Sequence, residues 1–358
     1  MKICFIFSNF HLSHLTAQPG IVFKLAKKAA ERGEKIYIIS NDIKNKNFRK
    51  GGIYFFLFKG VGNLRTYFLN LPKIIKYLKD SKPSVIHVHG SLLIIYAWFI
   101  NRLFGIPMVC YLCETLDIMN TFYRKLLVFC LTRVEKIFLS SEYIKDQLIR
   151  NGIPSYKTLV VRIGLNEKFL AEMESLSPDT DILYFGDSSR ERGFDIIFQL
   201  AQKLPQLKFK ILLRWEERNC SNELENMKKM PNVTILYYPY SESLEQIISR
   251  SKLVILPYRW MAVRPPLTLV ESMALGKCVI TSSMEGNEEI IRNEYNGLIV
   301  NFNKLEDVVS KITFLIENDQ VREDLGQKAR ETIRQMYSSE EYHKILNYYS
   351  NLLKKADE

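Results

Sequence analysis

The chain has 358 residues, 47% of them hydrophobic and 25% charged, with a net charge of +11. That length is too great for one typical core and suits two domains, and the composition is that of a soluble globular protein. Residues 1–10, MKICFIFSNF, read as a short strand rather than a signal peptide, and the apolar run at residues 91–104 is shorter than the roughly 20 residues a spanning helix needs, carries Asn101 and Arg102, and reads as a buried helix.

Apolar runs alternate with amphipathic segments along the chain. Strands are predicted at residues 2–8, 35–40, 53–58, 85–89, 108–112, 136–139 and 159–162. Helical patterns lie between them, as at residues 21–32, where Leu25, Ala29 and Ala30 share a face. SLSPDTD at residues 175–181 is polar and Pro-containing and predicts a linker. The pattern then restarts, with strands at 181–186, 208–213, 233–237, 252–257, 277–281 and 297–301. The tail from Val308 is helical, and its last helix, from Ser339, carries an apolar stripe of Tyr342, Ile345, Leu346 and Tyr349 suited to core packing. Strand–helix alternation implies parallel sheets covered by helices on both faces. The expected fold class is therefore α/β: two Rossmann-like, doubly wound parallel-sheet domains facing across a cleft, with a ligand pocket at the carboxyl ends of the strands. Neither half carries a G-x-G-x-x-G fingerprint.

Charge is unevenly spread. Residues 1–177 hold 26 Lys and Arg against 12 Asp and Glu, a net of +14, and the remainder nets −3. Residues 44–82 mix cations with aromatics that read as exposed: Tyr54, Phe55, Phe56, Phe58, Tyr67, Phe68 and Tyr77. Arg124 and Lys125 follow Phe122 and Tyr123. Such a surface fits an anionic bilayer, nucleic acid or plain solvation. No helix-turn-helix, zinc-finger or RNA-binding signature accompanies it, so nucleic acid is not expected as a partner. Six cysteines are scattered, and Cys110 and Cys113, three apart on a strand, face opposite ways. With no second pair, they predict reduced, buried thiols rather than a zinc site.

The most informative stretch is residues 256–289, LPYRWMAVRPPLTLVESMALGKCVITSSMEGNEE. It reads as a buried strand, a polar loop, a Pro pair, a short helix closed by Gly276, and a second strand. Pro266 has no N–H, so the amides of Leu267, Thr268 and Leu269 are expected to point outward as an anion site. Glu271 lies about one turn further in, where a carboxylate accepts bonds from a sugar diol. A phosphate at the helix tip and a ribose beside the acid describe a nucleotide-sugar pocket.

Glu271 followed by SMALGKCVIT, then EGNEEII at residues 285–291 and NGLIV at 296–300, resembles the ordered motifs of glycosyltransferase family 4, whose members are retaining transferases of GT-B fold. The resemblance covers nearly the whole chain. It implies an acceptor-side domain at residues 1–177, a donor-binding domain at 178–337 and a last helix, 338–358, crossing back to the first domain. It implies a hexosyltransferase-like activity with no metal and no cofactor. The donor substrate would be a nucleoside-diphosphate sugar, and the acceptor a hydroxyl of a glycan or lipid-linked molecule in polysaccharide or glycolipid synthesis. A cytoplasmic protein is expected, in peripheral contact with the inner face of the cell membrane through its basic first domain.

In the same resemblance, GDSSRERG at residues 186–193 stands where the family has Gly-Arg, a short loop and Lys-Gly. Gly186 and Arg192 match, Asp187 replaces the Arg, and Arg190 is the substitute cation in the loop. Arg190 and Arg192 would clamp the diphosphate and, with Glu271, form the catalytic set. Leu267, Thr268, Leu269, Gly286, Asn287 and Glu289 would complete the donor site. The first acid of the family's glutamate pair falls at Val263, and Arg264 beside it suggests a negatively charged donor sugar such as a uronic acid. Three residues are candidates on the acceptor side. Gly20 lies in Gln18-Pro19-Gly20, read as a turn between the first strand and helix. His89 either hydrogen-bonds substrate or is a packed histidine, as is His87. Glu114, with Asp117, neighbours Cys113, where the family has a His. The departures at Asp187, Cys113 and Val263 leave a second reading open, a non-catalytic GT-B protein that binds sugar nucleotide or glycan in an assembly complex.

Overall fold

The computed structural model describes residues 1–9, 17–42, 46–60, 64–171, 176–214, 218–338 and 340–357. It divides into two compact units, Met1–Gly164 with Ser339–Glu358, and Leu165–Ser338.

The first unit is built on β1 (Lys2–Ile6), β2 (Lys35–Asp42), β3 (Lys46–Lys50), β4 (Ile53–Lys59), β5 (Val85–His89), β6 (Met108–Leu112), β7 (Lys136–Leu139) and β8 (Thr158–Val160). These form one sheet in the order β3-β4-β2-β1-β5-β6-β7-β8. All pairings are parallel except β3 with β4, an antiparallel edge. β5 and β6 are buried along their whole length, as parallel strands covered on both faces must be. β3, KNFRK, was not among the predicted strands because it has no apolar run. Arg49 and Lys50 are exposed, as suits an edge strand, and Phe48 stacks on Phe55 of β4 at 4.5 Å.

α1 (Ala17–Glu31) follows β1, and α2 (Leu64–Leu69), α3 (Leu71–Ser81), α4 (Ser91–Asn101), α5 (Thr121–Leu131) and α6 (Glu142–Arg150) follow in turn. Tyr67, Ile74, Leu93, Leu127 and Ile144 from α2 to α6 share one core with Ile6, Ile86 and Cys110 of the sheet. The sequence at residues 18–20 is not the expected turn. Pro19 and Gly20 lie in the first turn of α1, where a proline's missing N–H costs no intrahelical bond. The aromatic surface expected at residues 44–82 is also largely absent: Phe55, Phe56, Phe58 and Tyr67 are buried. β4 is covered on both faces, so alternation sends no side of it to solvent.

In the second unit β9 (Thr180–Gly186), β10 (Phe209–Leu213), β11 (Val233–Tyr237), β12 (Ser251–Leu256), β13 (Cys278–Ser282) and β14 (Leu298–Val300) form a wholly parallel sheet in the order β11-β10-β9-β12-β13-β14. This is the Rossmann order, which reverses between β9 and β12 and opens a crevice at their carboxyl ends. The helices are α7 (Glu167–Leu170), α8 (Phe194–Lys203), α9 (Ser221–Met227), α10 (Leu244–Ser249), α11 (Leu267–Ala274), α12 (Leu305–Glu317) and α13 (Asp319–Met336).

The unit boundary falls at Gly164 and Leu165 rather than at 177. Leu165 and Phe169 belong to the core that contains Leu269 and Met273. Arg330 and Arg334 donate to the carbonyls of Ala171 and Leu170 at 3.0 and 3.2 Å. Of the expected linker, Thr180 and Asp181 lie in β9, and Ser175 is outside the described residues.

α14 (Glu340–Asp357) belongs to the first unit and packs with α1. Tyr342, Ile345, Leu346 and Tyr349, the predicted stripe, are buried. Glu341 accepts from the Arg162 amide at 2.9 Å, Arg32 donates to Asn347 at 3.1 Å, and the Tyr349 hydroxyl meets Nδ1 of His87.

Gly326 of α13 lies against the chain that leaves α11. A Cβ added there would lie 2.1 Å from the carbonyl oxygen of Gly276. Alanine is better than glycine in a helix by about 1 kcal/mol. Here the contact is backbone to backbone, so no rotamer relieves it, and overpacking costs about 1–3 kcal/mol. Calorimetry of Gly326→Ala is expected to show a lower melting temperature, against the helix propensity.

Candidate active site

The crevice of the second unit is flanked by the loops that leave β9 and β12. The first, residues 187–193, is folded around Asp187. The Asp187 carboxylate accepts from the Ser189 amide at 3.2 Å, from the Ser189 hydroxyl, and from Nε of Arg192 at 3.1 Å. Its carbonyl accepts from the Tyr184 hydroxyl at 2.6 Å. Asp187 therefore holds Arg192 by one nitrogen and leaves both Nη groups without a partner among the described residues. Arg190 is placed differently: its side chain is 62% exposed and lies 3.7 Å from Glu223 of α9. Gly193 has φ +74°, and a Cβ there would lie 2.0 Å from the carbonyl oxygen of Pro257. The two loops thus touch through backbone. Further bonds join them: the amides of Arg259 and Trp260 donate to Glu191 O at 2.8 and 3.0 Å, and Arg259 reaches Arg190 O at 2.9 Å. Arg259 also pairs with Asp195 of α8.

From the second loop Pro266 leads into α11. The amide of Leu269 donates to Pro266 O at 3.1 Å, so it is not the outward donor expected. A tight first turn uses it. The amides of Leu267 and Thr268 have no partner among the described residues. The Thr268 hydroxyl pairs with that of Tyr258, which ties the helix start to the end of β12.

Glu271, one turn in, is buried, and its Oε2 has no hydrogen-bond partner among the described residues. Burial raises its carboxyl from 4.5 to about 7, against a smaller lowering by the Arg214 guanidinium and with a further rise from Glu245. Asn287 is also fully buried, and neither its side-chain oxygen nor its nitrogen has a partner among the described residues. Buried polar groups are nearly always satisfied, and each orphan costs about 1–3 kcal/mol. Glu271 and Asn287 are therefore the candidates in this unit for contact with a ligand. Gly286, at φ +86°, shapes the turn that presents Asn287, and Glu289 is half-buried with other contacts.

Arg264 is not an open cation. It is 7% exposed, its Nε donates to Met261 O at 3.0 Å and its Nη1 to Glu285 O at 2.7 Å. It braces the loop after β12 against the turn carrying Gly286 and Asn287. Arg214, at the end of β10, went unnoticed in the sequence, yet it is the cation that acts on Glu271. The only signal for it was a charge at a strand's carboxyl end.

The residues expected on the acceptor side are all in the first unit. Gly20 is helical. His89 is buried, stacked on Tyr111 and His87, with Nε2 unpartnered. Burial, and then His87, hold its imidazole well below its ordinary value, so the ring is neutral. Glu114 accepts from the amide of Ser91 at 3.3 Å and from its hydroxyl, and so caps α4. Asp117 is enclosed by Thr115 and Tyr143, at 3.0 and 2.6 Å, and by Gln147. All six cysteines are free and buried.

Residues 167–332 match the family model for glycosyl transferases group 1, and residues 21–169 match that for glycosyltransferase family 4. The chain belongs to glycosyltransferase family 4. It is 26% identical over 283 residues to an uncharacterised glycosyltransferase of Methanocaldococcus jannaschii, covering 76% of each chain. It is 22% identical over 327 residues to the Escherichia coli UDP-Gal:alpha-D-GlcNAc-diphosphoundecaprenol alpha-1,3-galactosyltransferase, covering 80% of this chain and 77% of that one. Among solved structures, sucrose-phosphate synthase from Thermosynechococcus elongatus superposes with a TM-score of 0.83 at 16% identity, over 99% of both chains. Anabaena HepE in complex with UDP gives 0.78 at 15%, over 98% and 100%. At those identities the structures establish the GT-B fold of this glycosyltransferase, two parallel-sheet α/β domains.

The buried acid of the transferase sets a pH-dependent cost. A carboxyl raised above its unfolded value stabilises the fold fully below about 4.5 and loses that contribution as pH rises through about 7. Glu271→Gln removes the charge, so at pH 8 it is expected to raise the melting temperature, by about 2–4 °C for each kcal/mol recovered, and at pH 4 to leave it nearly unchanged. A calorimetric series over pH checks the sign.

Proposed function

We propose that this glycosyltransferase moves a sugar, with retention of configuration, from a nucleoside diphosphate sugar to a hydroxyl of a glycan or lipid-linked acceptor. The observation that carries the reading is the orphaned, buried carboxylate of Glu271 behind the two open amides of Leu267 and Thr268. The amides and the free Nη groups of Arg192 would meet the pyrophosphate, and Glu271 would accept from the ribose diol. Arg192 is the fixed cation at the phosphate that gains charge as the glycosidic bond breaks, which is usually the largest catalytic contribution. Asp187 orients it, so the acid at the family's Arg position serves as a positioning residue. Asn287 would bond the donor sugar. Phosphate charge is met in this reading by protein donors. The diphosphoundecaprenol in the name of the Escherichia coli relative supports a lipid-linked acceptor, and the UDP complex of HepE supports the nucleotide donor. With a lipid-linked acceptor the reaction would run at a membrane surface, in this reading its cytoplasmic face.

The absence of an acid at Val263 favours one other reading, a binder without turnover. Screening nucleoside diphosphates and their sugars by thermal shift, then assaying transfer, separates the two. A ligand at 100 times its Kd adds about 2.7 kcal/mol. Arg192→Ala is expected to reduce kcat by on the order of 10²–10³. A chain stabilised by no nucleotide refutes both readings. Binding requires the charged carboxylate, so nucleotide affinity is expected to level off above pH 7 and to fall up to about tenfold for each pH unit below it. Glu271→Gln should abolish that dependence.

A further inference from the structure

Arg214 is set at the crevice by main-chain bonds on both sides. Leu213, the last residue of β10, pairs in register with Gly186 of β9 and with Tyr237 of β11. The Arg214 amide donates to Gly186 O at 2.9 Å, and the Tyr238 amide donates to Leu213 O at 2.9 Å. The side chain therefore starts beside the end of β9, where the loop of Asp187 and Arg192 begins. Tyr240, in the loop after β11, packs against the core that holds Leu269 and Met273 of α11. That packing brings the end of β11 up to the helix that carries Glu271.

The Arg214 guanidinium is half-buried and makes no hydrogen bond or ion pair among the described residues. The other arginines around the crevice are tied: Arg192 by Asp187, Arg259 by Asp195, and Arg264 by two carbonyls. A side chain with five donors and no acceptor at that depth is an exception to the rule that sheltered polar groups are paired. Against the rise that burial causes, its charge lowers the Glu271 carboxyl and the Tyr240 hydroxyl. An unpaired cation and a carboxylate with an orphaned oxygen thus lie within electrostatic reach and do not close into an ion pair. β10 holds one and α11 holds the other.

A carboxylate only accepts and a guanidinium only donates, whereas a hydroxyl does both. A diol between them satisfies each: its protons go to Glu271, and an oxygen accepts from Arg214. We propose that Arg214 is a second ribose contact of the donor site, facing Glu271 across the diol and selecting ribonucleotides over 2′-deoxyribonucleotides. The inference rests on the proposed nucleotide site and names one more residue of it, with the pentose it takes. A 2′-deoxyribose lacks one of the two hydroxyls and leaves a charged group short of a bond, which a site built on hydrogen bonds penalises. Arg214 also favours the charged form of Glu271. Glu245 of α10 opposes it, and Tyr240 and Tyr258, both pushed up to about 12 by burial, stay neutral beside it.

Titration calorimetry of the full chain with UDP, GDP, ADP and CDP, each against its 2′-deoxy counterpart, tests this whichever base the site takes. The ribonucleotide is expected to bind at least about tenfold more tightly. Arg214→Leu should weaken ribonucleotide binding about tenfold and cut the ribo-to-deoxy ratio at least about threefold. Its loss of affinity on acidification should set in at a higher pH, because the carboxyl has lost its neighbouring cation. Arg214→Lys should restore the pH profile but not the full ratio, since an ammonium keeps the charge without the fork. Both variants should melt like the wild type at pH 5, where Glu271 is neutral. Equal affinity for ribo and deoxy forms, or an Arg214→Leu variant with the wild-type ratio and pH profile, overturns the inference and leaves nucleotide binding standing. Binding of none of these nucleotides sinks the transferase reading itself, and this inference with it.

Discussion

The close approach of Gly193 to the carbonyl of Pro257 governs the geometry of the second unit. It occurs where the strand order reverses, between β9 and β12, and it presses the two loops of the crevice together through backbone alone. A residue with a Cβ does not fit, and the φ of +74° is one that side chains disfavour. On one side of this contact Arg192 is held by Asp187. On the other the chain runs through the Arg259 and Trp260 amide bonds to Pro266 and the start of α11. The spacing of Arg192 and Glu271 is therefore set by backbone packing rather than by either side chain.

The site built on that contact is held at a cost. Glu271 and Asn287 keep buried polar atoms without partners, and the carboxyl of Glu271 is pushed up by burial. A core selected only for stability would replace both. Elsewhere in the unit, Arg264 braces two loops, Tyr258 and Thr268 pair, and Arg322 of α13 donates to Leu315 O at 2.7 Å. Buried polar groups left open in this way are compatible with a ligand that would complete them.

The first unit keeps its polar and apolar extremes apart. His87 and His89 sit neutral in an aromatic stack beneath α14. The helices on the other face expose Phe68, Phe99 and Phe122. The residues expected to contact acceptor are mostly structural: Glu114 caps α4 and Gly20 is inside α1.

The sequence by itself determined the element order and the limits of α11. Among the described residues, every strand but β3 lies where an apolar run was read, and the inner ones do so because a strand covered on both faces must be apolar throughout. Pro266, Glu271 and Gly276 mark the start, acid and end of α11 by local chemistry that needs no partner. What periodicity cannot encode is the neighbour across space. Only the tertiary structure decided that Asp187 orients Arg192, that Arg264 is a brace, and that residues 165–171 pack with the second unit. The same holds for the run at residues 91–104, whose apolar content was plain but whose outward face was not. A helix that is apolar nearly all round does not say which side its neighbours cover, since that depends on where α2 and α5 come to lie.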